Sequence, residues 1–110
     1  MSTNLEHLWM PFSANRGFKA EPRLMNEAKG MYYKKLDGTK VLDGTAGLWC
    51  CNAGHGNDKI VKAIQDQAGK LDFAPSFQMG HPLAFEAAEK LLELAPNNDF
   101  QYAFFTNSGS

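Results

Sequence analysis

The sequence predicts an α/β fold in which a parallel sheet is represented by one central strand. Three observations predict it. Gln101–Thr106, with Tyr102-Ala103-Phe104-Phe105 at its centre, is a continuous apolar run of the kind found in strands covered on both faces. Two amphipathic helical patterns precede it, over residues 57–71 and 82–95. The run passes into Thr106-Asn107-Ser108-Gly109-Ser110, small hydrogen-bonding residues suited to a turn between a buried strand and a helix N-terminus. No second strand of that type occurs, so the sheet is incomplete and the chain reads as the front portion of a larger protein.

Size and charge narrow the possibilities. With 110 residues there is room for at most one small domain. A net charge of −1 argues against nucleic acid or an anionic membrane as partner. No apolar run approaches a bilayer span, and residues 1–7 lack the basic and greasy regions of a secretory signal. Cys50 and Cys51 are adjacent and lack zinc-ligand spacing. They read as buried free thiols in a reducing compartment, so a cytoplasmic protein is expected.

Along the chain, residues 1 to about 28 read as irregular, with Trp9, Pro11, Phe12, Phe18 and Pro22 among polar residues. A hairpin follows: Met31–Leu36 is strand-like, Asp37-Gly38 is a two-residue turn signal, and Thr39–Asp43 returns. The glycine-rich segment Gly44–Gly56 reads as a shaped loop with a short strand. Asn57 is placed to cap a helix whose apolar face is Ile60, Val61, Ile64, Ala68 and Leu71. Residues 72–80 form an aromatic-bearing loop. A second helix starts near Pro82, carries Ala84, Ala87, Ala88, Leu91, Leu92 and Ala95 as its stripe, and ends by Pro96.

The residues that could carry chemistry are few. In the terminal turn, Gly109 would clear the approach of a phosphate, and Ser108 and Ser110 would add hydroxyls. Trp49, inside the glycine-rich segment, is either a core anchor or a pocket wall; packing is the default for a tryptophan. Phe77 reads the same way. His7, His55 and His81 lack metal spacing and an acid at helical offset, so they read as structural. Asp37 and Asp43 read as turn and hairpin-end residues, and no nucleophile–base arrangement can be argued.

A resemblance adds to this reading. Leu8-Trp9-Met10-Pro11-Phe12, Gly30-Met31-Tyr32-Tyr33, Val41-Leu42-Asp43-Gly44-Thr45-Ala46-Gly47-Leu48-Trp49-Cys50, Asn52-Ala53-Gly54-His55-Gly56, Phe77-Gln78-Met79-Gly80-His81-Pro82 and Phe104-Phe105-Thr106-Asn107-Ser108-Gly109-Ser110 occur in order. Together they resemble the opening of class III, pyridoxal-phosphate-dependent aminotransferases, and most of all the omega-amino acid (β-alanine):pyruvate type. The resemblance covers nearly the whole chain but only about the first quarter of such an enzyme.

It implies the fold type I architecture, with residues 1–70 in the small domain and 71–110 opening the cofactor-binding large domain. It implies pyridoxal 5'-phosphate as cofactor, an amine or omega-amino acid donor with pyruvate as acceptor, and a homodimer or homotetramer. Gly109 and Ser110, with Ser108 beside them, match the phosphate-binding turn. Trp49 matches an aromatic that lines the substrate pocket, which reverses the packing default. Phe77 lies in a loop that reaches the neighbouring subunit's active site in relatives. The family's cofactor-holding lysine lies beyond position 110, so the 110 residues alone are expected to be inactive. Other expectations are a different class III enzyme, such as an ornithine- or 4-aminobutyrate-type transaminase or an aminomutase, and a non-catalytic interaction module.

Overall fold

The computed structural model describes residues 3–96 and 99–109. The chain divides into two compact units, Met1–Gln65 and Asp66–Ser110.

In the first unit a short helix, α1 (Asn15–Ala20), precedes a three-stranded antiparallel sheet. Its strands are β1 (Met25–Lys29), β2 (Tyr32–Lys35) and β3 (Lys40–Leu42), in the order β1-β2-β3. Tyr33 of the central strand lies opposite Ala28 on one side and Val41 on the other. The expected hairpin is therefore present as β2–β3, with Lys35 opposite Thr39, so its turn takes three residues, Leu36-Asp37-Gly38, rather than the expected two. Its turn is closed by Lys35 N–H donating to the Thr39 carbonyl at 2.9 Å, with Gly38 at φ +87°. The Asp37 carboxylate accepts from the Thr39 amide at 2.8 Å. That hydrogen bond is the main reason the Asp37 carboxyl lies below its ordinary pKa.

The expectation that residues 1 to about 28 are irregular is corrected by α1 and β1. Met25-Asn26-Glu27-Ala28-Lys29 has no β-branched residue and no apolar alternation, so nothing local announces a strand. It becomes one by pairing with β2 across the two-residue turn Gly30-Met31, where Gly30 takes φ +59°. Upstream, the Asn15 side chain accepts from the Met10 amide at 2.8 Å and donates to the Met10 carbonyl at 2.9 Å. That amide clamp fixes the aromatic segment before α1.

After β3 the chain makes a single helical turn, α2 (Ala46–Trp49), and then the longer helix α3 (Asp58–Lys70). Asn57 caps α3 as expected, its side-chain oxygen accepting from the Lys59 amide at 3.1 Å. Helix α3 runs across the boundary between the units. In the second unit, α4 (Pro82–Glu93) begins at Pro82, and the His81 ring accepts from the Leu83 amide at 3.2 Å. Gln101–Thr106 forms no ladder with any described residue, which corrects the expectation of a formed strand there. A strand is held by its neighbours' backbone groups, and none is supplied.

Neither unit has a buried core among the described residues. The chain exposes 10304 Å², where about 6,100 Å² is usual for a folded monomer of this mass. Phe104 is 91% exposed and Ile64 of the α3 stripe 62%. These faces have the patterns of buried faces, but no described residue buries them.

Candidate functional site

The most ordered polar arrangement lies where the end of β3 meets the glycine-rich segment. Asp43 Oδ2 accepts from His55 Nε2 at 2.6 Å and from the Gly47 amide at 2.7 Å. Asp43 Oδ1 accepts from the Thr45 amide at 3.1 Å and the Thr45 hydroxyl at 3.3 Å. With no buried core among the described residues, these two side chains are nonetheless only 4% (Asp43) and 10% (His55) exposed. The His55 hydrogen bond, reinforced by those from Thr45 and Gly47, lowers the Asp43 pKa against the burial that would raise it.

Three further contacts fix His55. Its backbone exchanges two hydrogen bonds with Gly30, each 2.8 Å, which ties the loop to the β1–β2 turn. Its ring packs against Tyr33 of the central strand, centroids 4.5 Å apart and tilted by 52°. Burial and the Asp43 carboxylate together raise the Tyr33 pKa and keep the phenol protonated.

What this network holds is strained. Ala46, Gly47, Leu48 and Trp49 take φ of +50°, +60°, +59° and +70°, so α2 is a turn of left-handed helix. A left-handed helical residue other than glycine costs about 1–2 kcal/mol, and three of these four carry a Cβ. The turn's own hydrogen bonds are Trp49 N–H to the Thr45 carbonyl at 2.9 Å and, to the Ala46 carbonyl, Cys50 N–H and Cys51 N–H, the last at 2.8 Å. A neutral hydrogen bond contributes about 0.5–1.5 kcal/mol and one to a charged group about 1.5–3 kcal/mol. To these neutral bonds the Asp43 carboxylate adds a charge-assisted one at the Gly47 amide. Gly47 is required by space as well: a Cβ there would lie 3.1 Å from Cys51 Sγ and 3.3 Å from the Tyr33 hydroxyl.

The strained turn presents Trp49, whose surface is 80% exposed. Strain of this kind concentrates at sites that bind or react. Of the other residues singled out from sequence, Phe77 lies in the second unit on the loop before α4, 79% exposed, next to Gln78 at φ +59°. Ser108 and Gly109 share one turn, in which the Thr106 hydroxyl donates to the Ser108 carbonyl at 2.7 Å. Apart from its chain neighbours, no described atom lies within 4 Å of where a Cβ on Gly109 would sit. Ser110 lies outside the described residues. The Asp43–His55 pair had no sequence signature, because twelve residues separate the partners and only the Gly30–His55 bridge brings them together.

The family model described as aminotransferase class-III matches residues 13–110. The chain belongs to the class III aminotransferases. It is 50% identical over 109 residues to an omega-aminotransferase of Caulobacter vibrioides, covering 99% of this chain and 25% of the relative. It is 48% identical to a β-alanine–pyruvate aminotransferase of Pseudomonas aeruginosa, covering 97% and 24%. The crystal structure of a thermostable omega transaminase mutant from Pseudomonas jessenii superposes with a TM-score of 0.86 at 31% identity, over 96% of this chain and 24% of that one. The fold is thus part of the class III, fold type I architecture. This aminotransferase segment spans about a quarter of the length of the relatives it matches. A similar structure, at 29% identity, is an omega transaminase variant changed at a tryptophan, at a phenylalanine 28 positions later and at a distant arginine, engineered for asymmetric synthesis of enantiopure bulky amines.

Proposed function

We propose that these residues serve as the N-terminal part of a pyridoxal-phosphate-dependent omega transaminase that moves an amino group from an omega-amino acid or amine to pyruvate. The observation that carries the reading is Trp49, held out on a strained left-handed turn by the Asp43–His55 pair. The engineered omega transaminase supports it: Trp49 and Phe77 are also 28 positions apart. Trp49 forms an apolar wall of the substrate pocket, where it excludes water and limits donor size, and Phe77 reaches the active site of a neighbouring subunit. Ser108, Gly109 and Ser110 hold the cofactor phosphate; the small side chains and the open space at Gly109 suit an anion. When bound, the cofactor supplies the electron sink for carbanion chemistry.

Residues 1–70 belong to the small domain and 71–110 open the large domain. The exposed apolar faces are covered by the rest of the enzyme and by a second subunit in a homodimer or homotetramer. Among the described residues no helix is long and apolar enough to cross a membrane; a cytoplasmic location fits the adjacent free thiols, of which Cys50 is exposed and Cys51 half-buried rather than both buried as expected. The test is alanine formation by the full-length protein from pyruvate and β-alanine or a simple amine, with pyridoxal phosphate. Turnover with pyruvate as acceptor is expected. Turnover with 2-oxoglutarate alone would assign a different class III reaction.

A further inference from the structure

We propose that Asp43 and His55 are positioning residues for substrate choice: they lock the left-handed turn that presents Trp49 and so set the size of donor the enzyme accepts. The proposal rests on the reading of Trp49 as a pocket wall. Three observations carry it. The Asp43 Oδ2 atom joins the two elements, accepting from the turn at the Gly47 amide (2.7 Å) and from His55 Nε2 (2.6 Å). His55 is itself anchored to the sheet, by its paired backbone bonds to Gly30 and by the Tyr33 ring. The turn it steadies is left-handed at four successive residues, the last of which is Trp49. Loss of the carboxylate removes the charge-assisted hydrogen bond at the Gly47 amide, which favours departure from this strained conformation and movement of the indole with it.

A pair that served stability alone would, when broken, lower turnover of every donor in proportion. A pair acting through Trp49 changes the ratio between donors. The experiment uses the full-length holoenzyme and measures kcat/KM for a small and a bulky amine. Wild type is compared with His55→Leu, His55→Gln, Trp49→Ala and the double variant His55→Leu/Trp49→Ala. His55→Leu should raise the bulky-to-small ratio about tenfold, the lower end of what a pocket contact controls. His55→Gln keeps a neutral N–H donor for Asp43 and should restore the ratio. In the Trp49→Ala background His55→Leu should change nothing more. Should His55→Leu fail to fold, Asp43→Asn, which keeps the shape but loses the charge, should shift the ratio in the same direction. Two results overturn the proposal while leaving the pocket reading standing: Trp49→Ala moves the ratio and the folded His55 or Asp43 variant does not, or His55→Leu moves it equally with and without Trp49. A ratio unmoved by Trp49→Ala overturns the pocket reading and this proposal with it.

Discussion

His55 donates to Asp43 at 2.6 Å, and the oxygen that accepts also takes the Gly47 amide at 2.7 Å. One carboxylate oxygen therefore connects the sheet-anchored histidine to the strained turn. Trp49 is the last residue of that turn.

Gly47 should resist substitution more than Gly38. Both have positive φ, +60° and +87°, but a Cβ at Gly38 meets nothing within 4 Å, whereas at Gly47 it meets Cys51 Sγ and the Tyr33 hydroxyl. Gly38→Ala should cost about 1–2 kcal/mol for backbone strain alone. Gly47→Ala should cost more, because the cluster must also move. Denaturant midpoints of the two full-length variants check the order; equal losses would contradict the packing described.

Acid should weaken the turn through Asp43. Its pKa in the folded state lies below the ordinary 3.8, so the unfolded chain binds the proton first as pH falls. The stabilisation is fully present above pH 3.8 and is lost as pH drops through the lower folded value. Asp43→Asn should be less stable near neutrality and show a shallower loss below that point. Parallel stability curves for the two proteins would contradict this.

The 110 residues alone should not form a cooperative monomer. They expose 10304 Å², with Tyr102, Phe104 and Trp9 each more than four-fifths in solvent. Unpartnered apolar surface of this extent promotes association. Gel filtration and thermal melting should show self-association and a broad transition; a sharp monomeric peak with a two-state melt would refute it.

Gly109→Val in the full-length protein should weaken binding of pyridoxal phosphate more than Ser110→Ala does. The valine fills space that is open at Gly109, whereas the serine change removes one hydrogen bond to a charged group, worth roughly 1.5–3 kcal/mol. Cofactor titration decides it, and unchanged affinity in the valine variant would place the phosphate elsewhere.

Much of the frame was legible. The Asp37-Gly38 turn, the Asn57 cap and the start of α4 at Pro82 follow from local residue chemistry, and each forms within a few residues of its signal. What local signals miss is set by distant partners. Strand β1 exists because β2 pairs with it, and Gln101–Thr106 has the composition of a strand but no neighbour to make it one. His55 read as structural and Asp43 as a hairpin end. Both descriptions hold, but their pairing arises only from the fold, and it is what gives Trp49 its place. The glycines of residues 44–56 marked unusual backbone there, though the positive φ of Ala46, Leu48 and Trp49 lies on residues that give no such sign.

The central claim is that Trp49 is a wall of the donor pocket. Its most direct test is kcat/KM of full-length Trp49→Ala on a small and a bulky amine with pyruvate as acceptor. The account predicts a folded, cofactor-loaded variant whose bulky-to-small ratio rises about tenfold or more, the scale of one lost pocket contact. A folded, loaded variant with the wild-type ratio would contradict it.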